Sequence, residues 1–360
     1  MMMCSATAVE VTEAQVLEAL SHVNDPELHK SLTSLGMVQN IRICGGNVAF
    51  ELVLTTVACP LKDKIQQDCK EALATVPGVE QVTVEISGKT LGAKIPEREP
   101  LPGIKNVIAV SSGKGGVGKS TVAVNVACAM QKLGAKVGIV DADIYGPNVP
   151  IMMGLKHASV KEQTAEGKLL PPERHGVKVM SMGFLVKPDQ PVVWRGPLLD
   201  RVIRQFLTDT AWGELDYLII DLPPGTGDAQ LTIVQATPVV GAIIVTIPQE
   251  VALADSRKGL AMFTNSNIPV FGVVENMSYF MNAHGEREDI FGEGGGEAMA
   301  QELNVPFLGK VPMMGSLRKH SEAGVPVVIA DELNPIAQAL QSVAENVIGQ
   351  VCAIGVERLD

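Results

Sequence analysis

The 360-residue chain is long enough for two domains, and its apolar content of 46% can supply a core for each. Forty acidic residues against 29 basic ones give a net charge of −11, which argues against nucleic acid or an anionic membrane as a partner, because binding to either depends largely on Lys and Arg. The chain has no apolar run of membrane-spanning length and no secretory signal at its start, so we expect a cytoplasmic protein.

Residues 1–88 are predicted to form a small α+β domain. TEAQVLEALSHV has helical spacing of apolar residues with Thr12 as its N-cap, and NVAFELVLTT alternates as a strand does. CPLKDKIQQDCKEALATV predicts a helix with Pro60 in its first turn, and EQVTVEIS predicts a second strand. Residues 89–105 contain three prolines and two glycines without an apolar period, which indicates an extended linker.

Residues 106–360 are predicted to form a second, larger domain in which strands alternate with helices. The strand-like segments are NVIAVSS, KVGIVDAD, LDYLIIDLPP, VVGAIIVTIP, IPVFGVVENM and VPFLGKVP. Such nearly continuous apolar runs are typical of strands buried on both faces, so we expect a doubly wound, mostly parallel α/β sheet. Ligands in this architecture bind at the carboxyl ends of the strands.

A phosphate-binding loop follows the first strand of this domain. NVIAVSS runs into GKGGVGKST and then into a helix ended by Gly134, and G-x-x-x-x-G-K-[ST] is matched. Lys119 is expected to bind the β- and γ-phosphates of ATP, Ser120 to bind Mg²⁺, and Thr121 to contact the α-phosphate. The residues predicted to surround the nucleotide phosphates are Gly113, Lys114, Gly115, Gly116, Val117, Gly118, Lys119, Ser120 and Thr121.

Several acidic residues follow the predicted strands and are candidates for catalysis. Asp221 ends YLIID and is the expected acidic partner of Mg²⁺ and its waters. Asp141 and Asp143, in VDADIYGPNVP, are both candidates for positioning the attacking water, and their spacing leaves the choice open. Asp228 follows the glycine- and proline-rich LPPGTG and is a further candidate.

The loop KGGVGKS resembles the deviant phosphate loop of the MinD/ParA/NifH-type ATPases. That resemblance implies a homodimer that sandwiches nucleotide, in which Lys114 reaches the partner's phosphates in trans. It also implies that Asn276, in VVENMS, reads the adenine ring, and it favours Asp143 slightly over Asp141. Turn capping is the alternative role of Asn276.

The resemblance narrows to the Mrp/ApbC iron–sulfur carrier ATPases. The stretches that carry it are DADIYGPNVP, VVWRGPL, LIIDLPPGTGDAQLT, ADSRKGLAMF and FGVVENMSYF, while NDPEL, SLGMV and TTVACPL resemble the small iron–sulfur assembly domain fused to many of these proteins. The resemblance implies a slow ATPase that carries iron–sulfur clusters to apo iron–sulfur proteins and works with cluster scaffold proteins.

The cysteines depart from that family's pattern. A Cys-x-x-Cys pair typically follows NMS.F and helps to hold a bridging cluster, whereas this chain has Met281 and His284 at those places. Thioether and imidazole are poor substitutes for thiolates on iron. Cys59 precedes a predicted helix, whose N-terminus would stabilise a thiolate, but a free cysteine is as commonly a buried small apolar residue. The family resemblance favours the functional role and implies a cluster held transiently by Cys59, with Cys4 or a partner's thiols. The alternative is delivery through the N-terminal domain alone.

Two other functions remain open at this point. One is a spatial-positioning ATPase like MinD or ParA, although the C-terminal stretch from Leu333 onward has Arg358 as its only basic residue and so lacks a basic membrane-binding helix. The other is a metal-free, nucleotide-switched scaffold, which the missing Cys-x-x-Cys favours.

Overall fold

The computed structural model describes residues 11–26, 28–44, 46–88, 90, 99–143, 146–160, 163–184, 196–282, 284 and 286–357. The chain divides into two compact units, Met1–Leu91 and Gly92–Asp360. The linker over residues 89–105 stays a prediction, since residues 91–98 lie outside the described residues, and its last two residues belong to the first strand of the second unit.

The N-terminal unit packs two helices against a three-stranded sheet. Its elements are α1 (Glu13–Ser21), β1 (Val38–Cys44), β2 (Asn47–Leu54), α2 (Lys62–Ala74) and β3 (Gln81–Gly88). The strand order is β1-β2-β3, with β1 antiparallel and β3 parallel to β2. Alternate residues of β2 and the apolar stripes of both helices form one buried core, as the α+β prediction requires.

Of the local features predicted for this unit, the cap of α1 is confirmed and the start of α2 was wrong, and one strand was missed. Thr12 caps α1 as expected, since its hydroxyl accepts from the Gln15 amide and the Gln15 side chain accepts from the Thr12 amide. The placement of Pro60 inside α2 was wrong, because that helix begins at Lys62 after the N-cap Leu61. Strand β1 was missed because a register shift between Gln39 and Arg42 interrupts its apolar alternation.

The second unit alternates strands and helices along the chain. Its elements are β4 (Ile104–Ser111), α3 (Lys119–Lys132), β5 (Val137–Asp141), α4 (Val149–Met152), β6 (Glu173–Arg174), β7 (Val177–Ser181), α5 (Gly196–Thr208), β8 (Leu215–Asp221), α6 (Asp228–Ala236), β9 (Val239–Thr246), α7 (Glu250–Asn265), β10 (Val270–Met281), β11 (Arg287–Glu288), α8 (Gly295–Glu302), β12 (Phe307–Met313), α9 (Gly315–Ala323), α10 (Val327–Ala330) and α11 (Pro335–Glu357). A short 3₁₀ turn covers Met182–Phe184.

These strands form a nine-stranded sheet in the order β11-β10-β9-β4-β8-β5-β7-β6, with β12 also paired to β10. The short strands β6 and β11 are antiparallel to their neighbours, and the other pairs are parallel. The prediction of a doubly wound, mostly parallel sheet is therefore confirmed. No helix within the described ranges is both long and apolar enough to cross a bilayer.

The order of the central strands determines where the chemistry lies. β8 lies between β4 and β5, and its last residue, Asp221, pairs with Asp141 of β5 and with Val110 of β4. All three strands run in the same direction, so their carboxyl ends meet at one edge of the sheet. The glycine loop between β4 and α3 starts at this edge, beside both aspartates.

Candidate functional site

The loop between β4 and α3 has the backbone of an anion-binding turn. Gly116 and Gly118 have φ angles of +83° and +82°, a left-handed conformation that favours glycine. Gly118 is the N-cap residue of α3, and the Ser112 hydroxyl donates to the carbonyl of Lys114 at 3.0 Å. Backbone amides at such a helix N-terminus, together with the helix dipole, favour a bound phosphate.

The loop is also packed tightly against two neighbouring elements. A Cβ atom at Gly113 would collide with the backbone of Asp255 on α7, and one at Gly118 would collide with the amide of Asn276 on β10. Asn276 is 3% exposed, and its Nδ2 donates to the carbonyl of Val117 at 2.8 Å. Asn276 therefore holds the loop rather than capping a turn, and its predicted contact with adenine stays a prediction.

Lys119, the first residue of α3, turns its ammonium group back towards the sheet edge. Its Nζ lies 2.6 Å from Asp221 Oδ1, 3.9 Å from Asp143 Oδ2 and 3.4 Å from Ser120 Oγ. The lysine is only 5% exposed. A buried ammonium group surrounded by carboxylates is well placed to transfer to an incoming polyphosphate.

Asp221 has the features of a divalent-cation ligand. It is fully buried, and burial raises its pKa while the adjacent Lys119 ammonium opposes that rise. Its Oδ2 atom has no hydrogen-bond partner among the described residues. An unpartnered carboxylate oxygen close to the Ser120 hydroxyl is a donor set that suits Mg²⁺, which prefers hard oxygen ligands.

Asp141 and Asp143 occupy different environments although both follow β5. Asp141 is fully buried and accepts hydrogen bonds from the Asp143 amide, the Val149 amide and the Ser181 hydroxyl at 3.2, 3.2 and 2.9 Å. Burial and the neighbouring Asp221 carboxylate raise the pKa of Asp141 to about 8. Its hydrogen bonds fix the path of the chain from β5 to α4, which is a structural task.

Asp143 lies nearer the mouth of the site. It is 8% exposed, its Oδ1 accepts from the Gly146 amide at 3.2 Å, and its Oδ2 faces the Lys119 ammonium. Residues 144 and 145, which follow it, lie outside the described residues. Of the two aspartates, Asp143 is the one whose carboxylate directly faces the Lys119 ammonium.

The remaining predicted site residues are spread around this buried group. Lys114 and Asp228 are exposed, and Asp228 is the first residue of α6. Gly115 is exposed and Val117 is buried beneath the loop. Thr121 is half-buried in the first turn of α3. The structure therefore assembles Lys119, Ser120, Asp143 and Asp221 closely, and it does not bring Lys114 or Asp228 into contact with them.

Two polar residues that lie in the site were not predicted from the sequence. Ser181 ends β7 and donates to Asp141, and Gln230 on α6 donates to Ser111 Oγ at 2.6 Å. Strand β7 was not predicted, and a lone glutamine in DAQLT has no pattern that shows its burial. The buried face of α6, which includes Ile233 and Val234, was the available signal for Gln230.

In the N-terminal unit, Cys59 lies in a packed environment. It is 8% exposed, belongs to the apolar core and precedes the first residue of α2 by three positions. Burial raises the pKa of the nearby core thiol Cys69 to about 12. The described residues contain no group of three or more His, Cys, Asp or Glu side chains that could hold a metal ion.

The segment that carries Met281 and His284 forms a hairpin closed by a side chain. Met281 pairs with Arg287 across the β10–β11 ladder. Asn282 Oδ1 accepts from the amides of His284 and Glu286 at 2.9 Å each, and Asn282 Nδ2 donates to the Glu286 carboxylate at 2.9 Å. The described part of this hairpin is thus stabilised by polar contacts and offers no thiolate.

Two protein-family models match the chain. One, described as a NUBPL iron-transfer P-loop NTPase, matches residues 103–348, and the other, described as an iron–sulfur cluster assembly protein, matches residues 13–86. A relative from Synechocystis sp. named "Iron-sulfur cluster carrier protein" is 53% identical over 346 residues, which cover 95% of this chain and 98% of that protein.

Solved structures show similar folds. A nucleotide-binding protein from Archaeoglobus fulgidus, in complex with ADP, is 45% identical with a TM-score of 0.55, over 61% of this chain and 87% of that one. The septum site-determining protein MinD from Pyrococcus horikoshii, complexed with Mg-ADP, has a TM-score of 0.52 at 24% identity, over 67% of this chain and 95% of that one. The second likeness shows the fold alone.

Proposed function

The chain belongs to the NUBPL iron-transfer P-loop NTPase family, and from that premise we propose that it is an ATP-dependent carrier that delivers iron–sulfur clusters to apoproteins. The observation that carries this proposal is the presence, in one chain, of both family matches over residues 13–86 and 103–348. We propose that the first domain, residues 1–88, handles the cluster, that residues 106–360 use ATP, and that residues 89–105 link them. Cluster transfer needs reduced thiols, which favours the cytoplasm.

The geometry supports a specific change at the phosphate loop when ATP binds. Lys119 Nζ leaves Asp221, 2.6 Å away, and transfers to the β- and γ-phosphates, which also accept hydrogen bonds from the amides of the loop. Asp221 then loses its cation and becomes a stronger ligand for another one. Thr121, in the first turn of α3, is placed to contact the α-phosphate.

Ser120 and Asp221 would hold the magnesium ion that accompanies ATP. The Asp221 Oδ2 atom, which has no partner among the described residues, and the Ser120 hydroxyl are the fitting oxygens. A Mg²⁺ ion held by these oxygens would neutralise charge that develops on the phosphates during phosphoryl transfer. The protein's contribution is to hold the Asp221 carboxylate at the buried end of β8 and the Ser120 hydroxyl in the first turn of α3, next to each other.

We assign the water-positioning role to Asp143. Asp141 accepts three hydrogen bonds from the chain around it, whereas Asp143 faces Lys119 and hence the position of the phosphates. Exposed Lys114 can reach outside its own site, which supports a role in trans within a homodimer. Asp228 is the less favoured candidate, because it lies exposed at the start of α6.

The cluster is the cargo of this proposal, and Cys59 remains its candidate ligand. At 8% exposure the thiol is covered by core side chains, so binding requires the Cys59–Lys62 turn to open locally. Cys4, the second candidate, lies outside the described residues. Apo iron–sulfur proteins, cluster scaffold proteins and a second copy of the chain are the proposed partners.

A second candidate function is a metal-free scaffold switched by nucleotide. The observation that favours it is the hairpin at Met281 and His284, where Asn282 closes a polar turn. Anaerobic reconstitution with iron and sulfide separates the two functions. We expect iron to bind to the intact chain, to be lost in Cys59→Ser and to be retained in Cys69→Ser, a control from the same core. A chain that accepts no iron supports the scaffold.

The ATPase part is tested separately by nucleotide binding and hydrolysis. Lys119→Ala is expected to abolish nucleotide binding, because no other side chain supplies the buried ammonium next to Asp221 in the described site. Lys114→Ala is expected to keep binding and to lose hydrolysis. Equal binding defects in the two variants would refute the trans role of Lys114.

A further inference from the structure

A buried glutamine connects the base of the phosphate loop with the segment after Asp221. Gln230, on α6, is 1% exposed. Its Nε2 donates to Ser111 Oγ at 2.6 Å and to the carbonyl of Pro223 at 3.2 Å. Ser111 is the last residue of β4, next to the loop, and Pro223 is the second residue after Asp221. One side-chain amide thus holds two parts of the nucleotide site together.

The chemistry of its partners fixes the orientation of this amide. The Pro223 carbonyl can only accept a hydrogen bond, so exchanging Nε2 and Oε1 would place two acceptors against each other. We refer to Leu222–Gly227 as the switch segment. Pro223 and Pro224 carry no amide hydrogen, and the segment's other links to the loop side are the Leu222 amide to the Val110 carbonyl and the Gly225 amide to the Ser112 carbonyl.

The amide makes these contacts while leaving its own oxygen unsatisfied. Gln230 Oε1 is buried and has no hydrogen-bond partner among the described residues. An apolar side chain of similar size would pack at this position without burying an unpaired acceptor. A buried polar group that is only partly satisfied points to a role beyond packing.

We propose that Gln230 is a positioning residue that couples the phosphate loop to the switch segment, so that the protein distinguishes ATP from ADP. This inference rests on the proposed nucleotide function. The switch segment begins directly after Asp221, the residue that loses Lys119 when phosphates bind. Gln230 holds Pro223, the second residue of this segment, to the end of β4. A displacement of the phosphate loop on nucleotide binding therefore moves the switch segment with it, whereas without this link the two could move independently.

Gln230→Leu removes both donated hydrogen bonds at nearly unchanged volume, and Gln235→Leu is the matched control, since Gln235 is exposed on the same helix. Ser111→Ala removes one of the two contacts from the other side and serves if Gln230→Leu does not fold. In the nucleotide-free protein, we expect hydrogen exchange of the Gly225 amide to rise about fivefold in Gln230→Leu, the equivalent of one lost hydrogen bond.

The second measurement is the ratio of the Kd for ADP to the Kd for a non-hydrolysable ATP analogue. We expect this ratio to move towards one in Gln230→Leu and to stay at the wild-type value in Gln235→Leu. A merely structural role would instead raise exchange throughout α6 and β4 and weaken both nucleotides equally. Either unchanged Gly225 exchange or an unchanged ratio in Gln230→Leu would overturn the inference.

The two proposals fail in distinguishable ways. If the wild-type chain binds neither nucleotide, the proposed ATPase function is refuted, and the Gly225 exchange still decides whether Gln230 holds the switch segment. If the wild-type chain binds and hydrolyses ATP while Gln230→Leu keeps the wild-type ratio, only the role of Gln230 is refuted.

Discussion

Removal of the Lys119 ammonium is expected to destabilise the second unit strongly when no nucleotide is present. The pair Lys119–Asp221 is 2.6 Å long, and its side chains are 5% and 0% exposed. At an effective dielectric constant of about 20, two unit charges at that distance attract by about 6 kcal/mol. Part of this attraction is offset by the cost of burying the ammonium group, so we expect Lys119→Met to lose about 3–5 kcal/mol.

The measurement is urea denaturation in the presence of a chelator and without nucleotide. Tryptophan fluorescence reports on the second unit alone, because Trp194 and Trp212 are the chain's two tryptophans and both follow residue 92. Lys105→Met is the control, since the pair Lys105–Asp216 has a similar length of 2.7 Å but a lysine that is 36% exposed. There we expect a loss of about 1 kcal/mol or less.

A double variant tests the stated cause of the loss. Lys119→Met leaves the Asp221 carboxylate buried without its cation, and adding Asp221→Asn removes that charge. The double variant is therefore expected to be more stable than Lys119→Met alone by about 2 kcal/mol. A loss in Lys119→Met no larger than in Lys105→Met, or a double variant no more stable than Lys119→Met, would show that this ion pair does not stabilise the second unit as expected.

Three further predictions concern other parts of the chain. Gly118→Ala places a Cβ against the Asn276 amide at a φ of +82°, so nucleotide affinity should fall by about tenfold; wild-type affinity in a titration would contradict this. Alkylation of the folded protein at pH 8 should modify exposed Cys44 long before buried Cys128. Burial raises the pKa of Cys128 to about 12, so only about one part in 10⁴ of this thiol is thiolate at pH 8. Equal labelling of the two cysteines by mass spectrometry would refute this. Thr12→Ala removes the cap of α1 and should speed amide exchange in that helix about fivefold, whereas wild-type exchange would show that the cap contributes nothing.

The central strands of the second unit were predicted from a continuous apolar run. β4, β8 and β9 are buried at nearly every position, because parallel strands in the centre of a sheet are covered on both faces. β7 lies next to the edge of the sheet. It was missed because the partly exposed Lys178 interrupts its apolar run. The order of the strands also could not be predicted, since the pairing of β8 between β4 and β5 joins segments that are far apart in sequence.

The candidate site was likewise predicted where its residues are close together in the sequence, and missed where they are far apart. The phosphate loop was predicted because its pattern is local, and the resemblance to a known family indicated Asn276 and Lys114. The contacts of Ser181 with Asp141 and of Gln230 with Ser111 span 40 and 119 residues. No local pattern encodes such contacts, because they depend on which helix and which strand end come to lie side by side.

The tight packing of the phosphate loop has a consequence for which substitutions the chain can accept. Gly113 lies against the α7 backbone and Gly118 against Asn276, and both contacts are made by protein atoms alone. A Cβ at Gly113 would displace the α7 backbone, and one at Gly118 would displace the Asn276 side chain, so either substitution disturbs the packing of the loop. Substitution at either glycine is therefore expected to be disfavoured by folding as well as by any loss of phosphate binding, so both positions should tolerate little variation even where nucleotide binding is not needed.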